Sequence, residues 1–180
     1  MKQTCRHPKL LAIIITVVGI LLDQATKLLV SGYMELHESI PLLEGVLHIT
    51  YIQNRGAAFG MLADNRWVFL IISTVTILAI SAYLAVTKSH APLYIVSLSM
   101  ILSGGIGNMI DRVALGYVVD FIDFRLINFA VFNGADSFVC VGAALLFLAV
   151  LLEPKENAKP NADVADAAVE ETAEEEHRDA

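Results

Sequence analysis

The sequence predicts an all-α membrane protein with four transmembrane helices and a small extracytoplasmic β-cradle between helices 1 and 2. Two observations predict this fold class. Hydrophobic residues make up 56% of the 180 residues, above the roughly 45–50% that is usual in soluble domains. The chain also contains four apolar segments that approach or exceed the length of about 20 residues with which a helix crosses the hydrocarbon layer.

The four predicted spans differ in how clearly their ends are marked. The fourth is slightly short, so we expect it to begin a few residues earlier. The basic start and apolar core of the first span resemble a cleavable signal peptide. No clear A-x-A site follows, however, so the sequence favours a retained helix. The predicted spans are residues 10–30, 67–86, 92–110 and 137–152.

Basic residues near the span ends predict the orientation, because lysine and arginine are enriched in cytoplasmic loops. An even number of spans places both termini on one side, which we expect to be the cytoplasm. The bias is modest, since four arginines lie on the opposite side. The residues on the cytoplasmic side are Lys2, Arg6, Lys9, Lys88, Lys155 and Lys159, and those opposite are Arg55, Arg66, Arg112 and Arg125.

The segments outside the spans have two different compositions. Residues 32–66 alternate in part and contain Pro41, Gly45 and Gly56, which predicts short strands at the membrane surface. Residues 153–180 carry ten acidic and three basic residues, which predicts a disordered cytoplasmic tail. We therefore expect a membrane domain over 1–152 followed by the tail. Nine acids balance nine bases there, and the absence of a basic face argues against nucleic-acid binding.

Cysteine and histidine show no pattern of a metal site or a disulfide framework. Cys5 lies in the basic N-terminal segment and Cys140 in an apolar run, so a disulfide between them is not expected. The five histidines lack ligand spacing, and HExxH is absent. The sequence predicts neither a metal nor a cofactor.

Several charged and amide side chains fall within or beside the spans, where they usually face the protein interior. Asp23 and Lys27 are one helical turn apart, acid before base, which predicts a structural ion pair. Asn108 and Arg112 share one helix face, and Arg112 could hold a carboxylate or a lipid phosphate, or only reach the interface. We interpret Asp111 as a surface or helix-end residue.

Three aspartates, Asp120, Asp123 and Asp136, lie between the third and fourth spans. Asp136 precedes the fourth span, where the helix dipole favours negative charge. Asp120 and Asp136 are sixteen positions apart, which is enough for a loop to bring them together. Two adjacent carboxylates do not both ionise readily, so one holds a proton, as in an aspartic protease. Acids at one interface could equally hold a cation or line a transport path.

Four motifs in register on the predicted spans give the chain a resemblance to a known family. The chain resembles the bacterial lipoprotein signal peptidases, also called signal peptidase II, over about residues 10–152. The motifs are "DQATK" (23–27), "NRGAAFG" (54–60), "GNMIDRVALGYVVDFIDF" (107–124) and "FNGADS" (132–137).

The resemblance implies an aspartic endopeptidase of the bacterial inner membrane, with its active site on the periplasmic side. Its substrates would be diacylglyceryl-modified prolipoproteins, cut just before the lipid-modified cysteine, within membrane lipid. Globomycin-type antibiotics would inhibit it. The catalytic pair would be Asp120 and Asp136, with Asp123 outside it. The substrate-binding or supporting residues implied are Asp23, Lys27, Asn54, Gly56, Asn108, Arg112, Asn133 and Ala135.

One departure from the family pattern lies beside the implied site. Position 134 is glycine, where a larger aliphatic residue is common, which loosens the loop next to Asp136. We expect Asp136 to be the base, because the helix terminus favours its anion, and Asp120 to be the acid.

Three other classes of protein remain as alternatives to this reading. A transporter or cation-binding protein would use Asp23, Asp120 and Asp136 as ligands. Serine-type intramembrane proteases need a Ser–His pair, but no span contains histidine, and the GxGD motif of the presenilin type is absent. A structural tetraspan protein would leave the placement of Asp120 and Asp136 unexplained.

Overall fold

The computed structural model describes residues 7–56, 66–87 and 91–152, apart from the side chain of Arg66. The predicted tail at 153–180, Cys5 and most of the "NRGAAFG" motif lie outside these residues. The elements, in chain order, are α1 (Pro8–Tyr33), β1 (Ser39–Leu43), β2 (Leu47–Asn54), α2 (Arg66–Val86), α3 (Pro92–Ala114), β3 (Val118–Phe124), a 3-10 turn (Arg125–Ile127) and α4 (Gly134–Leu152).

The four helices are long and apolar enough to cross a membrane, which confirms the predicted spans. The chain is therefore a multi-pass membrane protein. As expected, the fourth helix begins earlier than residue 137, at Gly134. The third continues past residue 110 to Ala114. Large apolar side chains on the helix surfaces, such as Leu28 at 71% exposure, are suited to contact with lipid.

The three strands form one antiparallel sheet in the order β1-β2-β3. Strands were predicted only between helices 1 and 2, but β3 follows α3 and pairs with β2. The reason lies in its sequence, "VVDFIDF". Branched and aromatic residues give this run strand propensity, whereas its two aspartates made it resemble a polar loop. Sheet pairing therefore joins the two connections between spans on the same side of the helices.

Small residues bring α3 close to α1 and α4. A Cβ at Gly104 would overlap the backbone carbonyl of Ala135 in α4. A Cβ at Gly107 would meet the carboxylate of Asp23 in α1. These contacts place three helices around one buried polar region.

A second buried cluster fixes the sheet to the end of α1. Val30 of α1 packs with Tyr51 of β2 and with Val119 and Phe121 of β3. Neighbouring strand residues point to opposite faces, so Asp120, which lies between Val119 and Phe121, points away from this cluster.

Candidate active site

Asp120 of β3 and Asp136 of the first turn of α4 line the same cavity, which has a volume of about 610 Å³. Its wall is mostly apolar and includes Phe69 of α2 and Phe129. The carboxylate of Asp120 is deeply placed, since the residue is 1% exposed. Two carboxyl groups therefore face one apolar chamber that is large enough for several side chains of a bound molecule.

Both oxygens of Asp120 accept hydrogen bonds from amide side chains. Asn54 Nδ2 donates to Oδ2 at 2.8 Å, and Asn133 Nδ2 donates to Oδ1 at 2.6 Å. The Asn54 amide is held in this orientation because its Oδ1 accepts the backbone N–H of Gly56 at 2.9 Å. Burial raises the pKa of Asp120 to about 6, against the effect of the Asn54 bond, and the charge of Asp136 adds to the rise.

Asp136 is oriented by a reciprocal cap at the start of α4. The backbone N–H of Asp136 donates to Asn133 Oδ1 at 3.0 Å, and the backbone N–H of Asn133 donates to Asp136 Oδ2 at 3.2 Å. This is the capping-box arrangement, with asparagine at the N-cap and the acid three residues later. Asn133 thus contacts both carboxylates, because its side-chain nitrogen binds Asp120.

A lysine determines how Asn108 presents its amide to Asp136. Lys27 Nζ donates to Asn108 Oδ1 at 2.9 Å, and Asn133 Nδ2 donates to the same oxygen at 3.1 Å. A lysine ammonium can only donate, so the Asn108 oxygen must face it. The Asn108 nitrogen is left to donate to Asp136 Oδ1, at 2.7 Å.

Lys27 is also the centre of a buried ion-pair group. Its Nζ lies 2.9 Å from Asp23 Oδ2 and 3.1 Å from Asp111 Oδ2, and the three side chains are at most 3% exposed. The predicted Asp23–Lys27 pair is confirmed. The other oxygen of Asp23 accepts the backbone N–H of Ala135 at 2.8 Å, and Asp111 Oδ2 accepts that of Val119 at 3.1 Å.

The interpretation of Asp111 as a surface residue was wrong, since it is 2% exposed and ion-paired. It does lie near the helix end, in the last turn of α3, where its carbonyl accepts the backbone N–H of Leu115. The helix continues past it, and its side chain lies one turn from Gly107 on the face that meets α1. Gln24 was not predicted as a member of this group. Its Nε2 lies 3.2 Å from Asp23 Oδ2 and 3.0 Å from Asp111 Oδ1. The spacing Gly107–Asp111, i to i+4, was the available signal for Asp111.

Arg112 contributes a positive charge to the cavity wall. Its guanidinium nitrogens donate weakly to the carbonyls of Asn108 at 3.4 Å and Gly56 at 3.5 Å. The guanidinium carbon lies 5.1 Å from the ring centroid of Phe69, within range of a cation–π contact. Arg112 therefore joins α3, the end of the β2 segment and α2 at one side of the cavity.

Asp123 lies in a separate polar cluster. Its Oδ2 accepts hydrogen bonds from Thr50 Oγ1 at 2.7 Å and from Arg125 Nε at 3.0 Å. Burial acts to raise its pKa, but these two bonds and the charge of Arg125 hold the pKa below its usual value. Asp120 and Asp123 are three residues apart on one strand, so they point to opposite faces. Across 7–56, 66–87 and 91–152, no three His, Cys, Asp or Glu side chains group as metal ligands.

Comparison with known proteins gives matches over most of the chain. The family model described as signal peptidase (SPase) II matches residues 15–152. Lipoprotein signal peptidase from Brevibacillus brevis is 46% identical over 144 residues, covering 80% of this chain and 97% of that protein. The protein of the same name from Halothermothrix orenii is 47% identical over 135 residues, covering 75% and 91%.

Solved structures match the fold as well. A bacterial membrane enzyme determined by the in meso method at 2.3 Å resolution aligns with a TM-score of 0.77 and 30% identity. The alignment covers 89% of this chain and 98% of that one. A second such structure, at 1.9 Å resolution, aligns with a TM-score of 0.74 and 31% identity, covering 86% and 99%.

Proposed function

The chain belongs to the signal peptidase II family, and from that premise we propose that it is an aspartic endopeptidase that removes signal peptides from diacylglyceryl-modified prolipoproteins. The observation that carries the proposal is the cavity lined by both Asp120 and Asp136. Asn133 hydrogen-bonds both carboxylates, which keeps them close together. Such a pair can share one proton and act on a peptide bond.

In the proposed reaction, Asp136 is the base and Asp120 is the acid. The Asp136 carboxylate takes a proton from water as the water oxygen bonds to the scissile carbonyl carbon. Asp120 gives its proton to the carbonyl oxygen, which yields a tetrahedral diol. The C–N bond then breaks as the amine leaving group takes the proton from Asp136. Asp120 regains a proton from the diol, so both groups return to their starting states.

The surroundings of the two acids support this division of roles. Asp136 lies in the first turn of α4, where the helix dipole stabilises an anion. Burial raises the pKa of Asp120 to about 6, which favours proton retention on that residue. The apolar wall lowers the local dielectric and strengthens the interaction of both groups with the developing charges.

The proposed substrate is a lipid-modified peptide that is cut just before its diacylglyceryl cysteine. The mostly apolar cavity wall suits the lipid chains, and the Arg112 guanidinium supplies donors for polar groups near the lipid. We also propose that the site faces the periplasm from the inner membrane, with cytoplasmic termini and residues 1–152 as the catalytic domain. A globomycin-type inhibitor would occupy this cavity.

The remaining implied site residues have proposed roles as supports. Asn54, Asn108 and Asn133 donate directly to the two carboxylates. The other five residues surround these groups by pairing buried charges, by binding backbone N–H groups, by close packing or by lining the cavity. They are Asp23, Lys27, Gly56, Arg112 and Ala135.

Cleavage of a purified substrate tests the proposal. The detergent-purified protein is incubated with a diacylglyceryl-modified prolipoprotein, and release of the signal peptide is followed by gel electrophoresis. Asp120→Asn and Asp136→Asn should each abolish cleavage while leaving the protein folded. Asp123→Asn is the matched control, because it makes the same change on β3 but outside the cavity, and it should retain cleavage. Cleavage that survives in both cavity variants would rule out the proposed pair.

A further inference from the structure

We propose that Asp111 is a positioning residue for the two aspartates. Through Lys27, it and Asp23 form one brace that holds the backbone directly before each aspartate. The inference rests on the proposed function, since it assigns Asp111 a part in that reaction. Asp111 does not line the cavity and makes no direct contact with a substrate in this scheme. Its effect would reach the reaction through the backbone of β3.

The first half of the brace acts on β3. Asp111 Oδ2 accepts the backbone N–H of Val119, the residue before Asp120, at 3.1 Å. This N–H therefore bonds a side chain of α3 rather than another strand. Two residues further along β3, the backbone carbonyl of Phe132 accepts the N–H groups of Phe121 and Ile122. Asp120 is thus held between two fixed backbone points on the same strand.

The second half of the brace acts on α4. Asp23 Oδ1 accepts the backbone N–H of Ala135, the residue before Asp136, at 2.8 Å. This N–H belongs to the first turn of the helix, where backbone donors have no partner within the helix. The Asp23 carboxylate supplies that partner from α1. The position of Asp136 is therefore fixed from α1 in the way that Asp120 is fixed from α3.

The two halves are joined at their centre. Lys27 Nζ contacts Asp23 Oδ2 and Asp111 Oδ2, the second of which is the oxygen that binds Val119. Gln24 Nε2 adds a second link between the two carboxylates. Buried charges are screened much less by salt and solvent than exposed ones, so this group resists distortion. A change at Asp111 should therefore move Asp120 relative to Asp136.

The separation of the two acids matters because it determines whether they share one proton and whether both reach the reacting atoms. A displacement of about 1 Å can reduce turnover by on the order of 10²-fold. Asp111→Ala removes both the contact with Val119 and the contact with Lys27. We expect kcat to fall by about 10²-fold with KM changed less than about twofold, since apolar contacts in the cavity stay intact.

Asp111→Asn separates the positioning effect from loss of packing. The asparagine oxygen can still accept the Val119 N–H, so we expect kcat within about tenfold of the unsubstituted protein. The charge of Lys27 is then less compensated, which favours the anion of Asp120 and lowers its pKa. Since Asp120 is the acid of the proposed reaction, the alkaline limb of the pH–rate profile, where Asp120 loses its proton, should move to lower pH. Ser103→Ala, a buried polar substitution elsewhere on α3, is the control and should change neither kcat nor the profile.

Amide hydrogen exchange gives a readout that needs no activity. A peptide containing Val119 should exchange faster in Asp111→Ala and at the unsubstituted rate in Asp111→Asn. If the unsubstituted protein does not cleave prolipoprotein, the proposed function fails while exchange still tests the brace. The inference is overturned if the alanine and asparagine variants lose kcat equally without a shift in the profile. It is also overturned if Val119 exchange is unchanged in Asp111→Ala. Should the alanine variant not fold, an unshifted profile in the asparagine variant overturns it.

Discussion

Replacing Lys27 by methionine tests whether this residue supports the fold or acts directly on the reaction. Methionine matches the length of the side chain but removes its charge and its donors. The Asp23 and Asp111 carboxylates, now paired with Lys27 at 2.9 and 3.1 Å, would lose their shared cation. Asn108 would lose the donor that fixes the orientation of its amide.

The expected cost follows from the burial of these groups. The Asp23 and Asp111 side chains are 1% and 3% exposed, so water cannot replace the ammonium. Removing one partner of a buried ion pair costs about 3–5 kcal/mol, because a charge is left uncompensated. For a domain of this size, each kcal/mol lowers Tm by roughly 2–4 °C. We therefore expect a decrease in Tm of about 6–20 °C.

Thermal unfolding in detergent, followed by far-ultraviolet circular dichroism, measures this decrease. Lys9→Met is the matched control, since Lys9 lies at the start of the same helix but is exposed. That substitution should change stability by no more than about 0.5 kcal/mol. Cleavage is measured below the transition of each variant, so that loss of fold and loss of turnover are read separately.

One result would refute the structural interpretation of Lys27. If Lys27→Met unfolds within about 2 °C of the unsubstituted protein, less than about 1 kcal/mol is lost and the buried pair is not supporting the fold. Loss of cleavage in that stable variant would then assign Lys27 a direct effect on the reacting groups.

Three further predictions address a proton, the cavity and the helix contacts. Burial raises the pKa of Asp120 from 3.8 to about 6, so the folded state binds the proton more tightly than the unfolded chain. The resulting contribution to the free energy of unfolding is present below about pH 4 and is lost as pH rises through about 6, a change of about 3 kcal/mol. Asp120→Asn should therefore flatten the pH dependence of Tm in that range. Cys140 is exposed and lines the cavity, so maleimide should block cleavage, and cleavage by Cys140→Ser should persist in maleimide. Gly104→Ala would force a Cβ against the carbonyl of Ala135 and should cost about 1–3 kcal/mol in thermal unfolding. Gly105→Ala is the control, because the added Cβ would lie at an ordinary 3.5 Å from the side chain of Ile77, so stability should be unchanged or rise.

The four spans could be predicted because hydrophobic length is a local property of the sequence. The ends of the spans were less certain where charged residues lie within the helix. Asp111 and Arg112 resemble the end of a helix, yet α3 continues to Ala114. The helix tolerates Asp111 because Lys27 of α1 compensates its charge inside the protein. That compensation comes from a residue more than eighty positions away, which the local sequence does not reveal.

The third strand was missed for a similar reason. β3 pairs with β2 in a register that places Asp120 opposite Ile52 and Asp123 opposite His48. The pairing is non-local, and the polar partners that make an aspartate acceptable in this strand come from elsewhere. Thr50, for example, donates to Asp123 from β2. Propensity alone therefore cannot separate such a strand from a loop.

The identities of the candidate site residues were accessible from motifs, but the connections between them were not. Asn133 could be named from "FNGADS", yet its contact with both Asp120 and Asp136 depends on the folded chain. Gln24 lies inside "DQATK" and was passed over, because only the packing of α1 on α3 brings its amide to Asp111.

The close contact between Gly104 of α3 and α4 limits which walls of the cavity can move to admit a bulky inhibitor. Gly104 already lies against the carbonyl of Ala135, and the hydrogen bond from Asn108 to Asp136 ties the same two helices together. By contrast, α2 packs mainly against α3 and supplies Phe69 to the cavity. Substitutions that confer resistance to such an inhibitor should therefore lie around Phe69, where the cavity wall can change shape without separating Asp120 from Asp136.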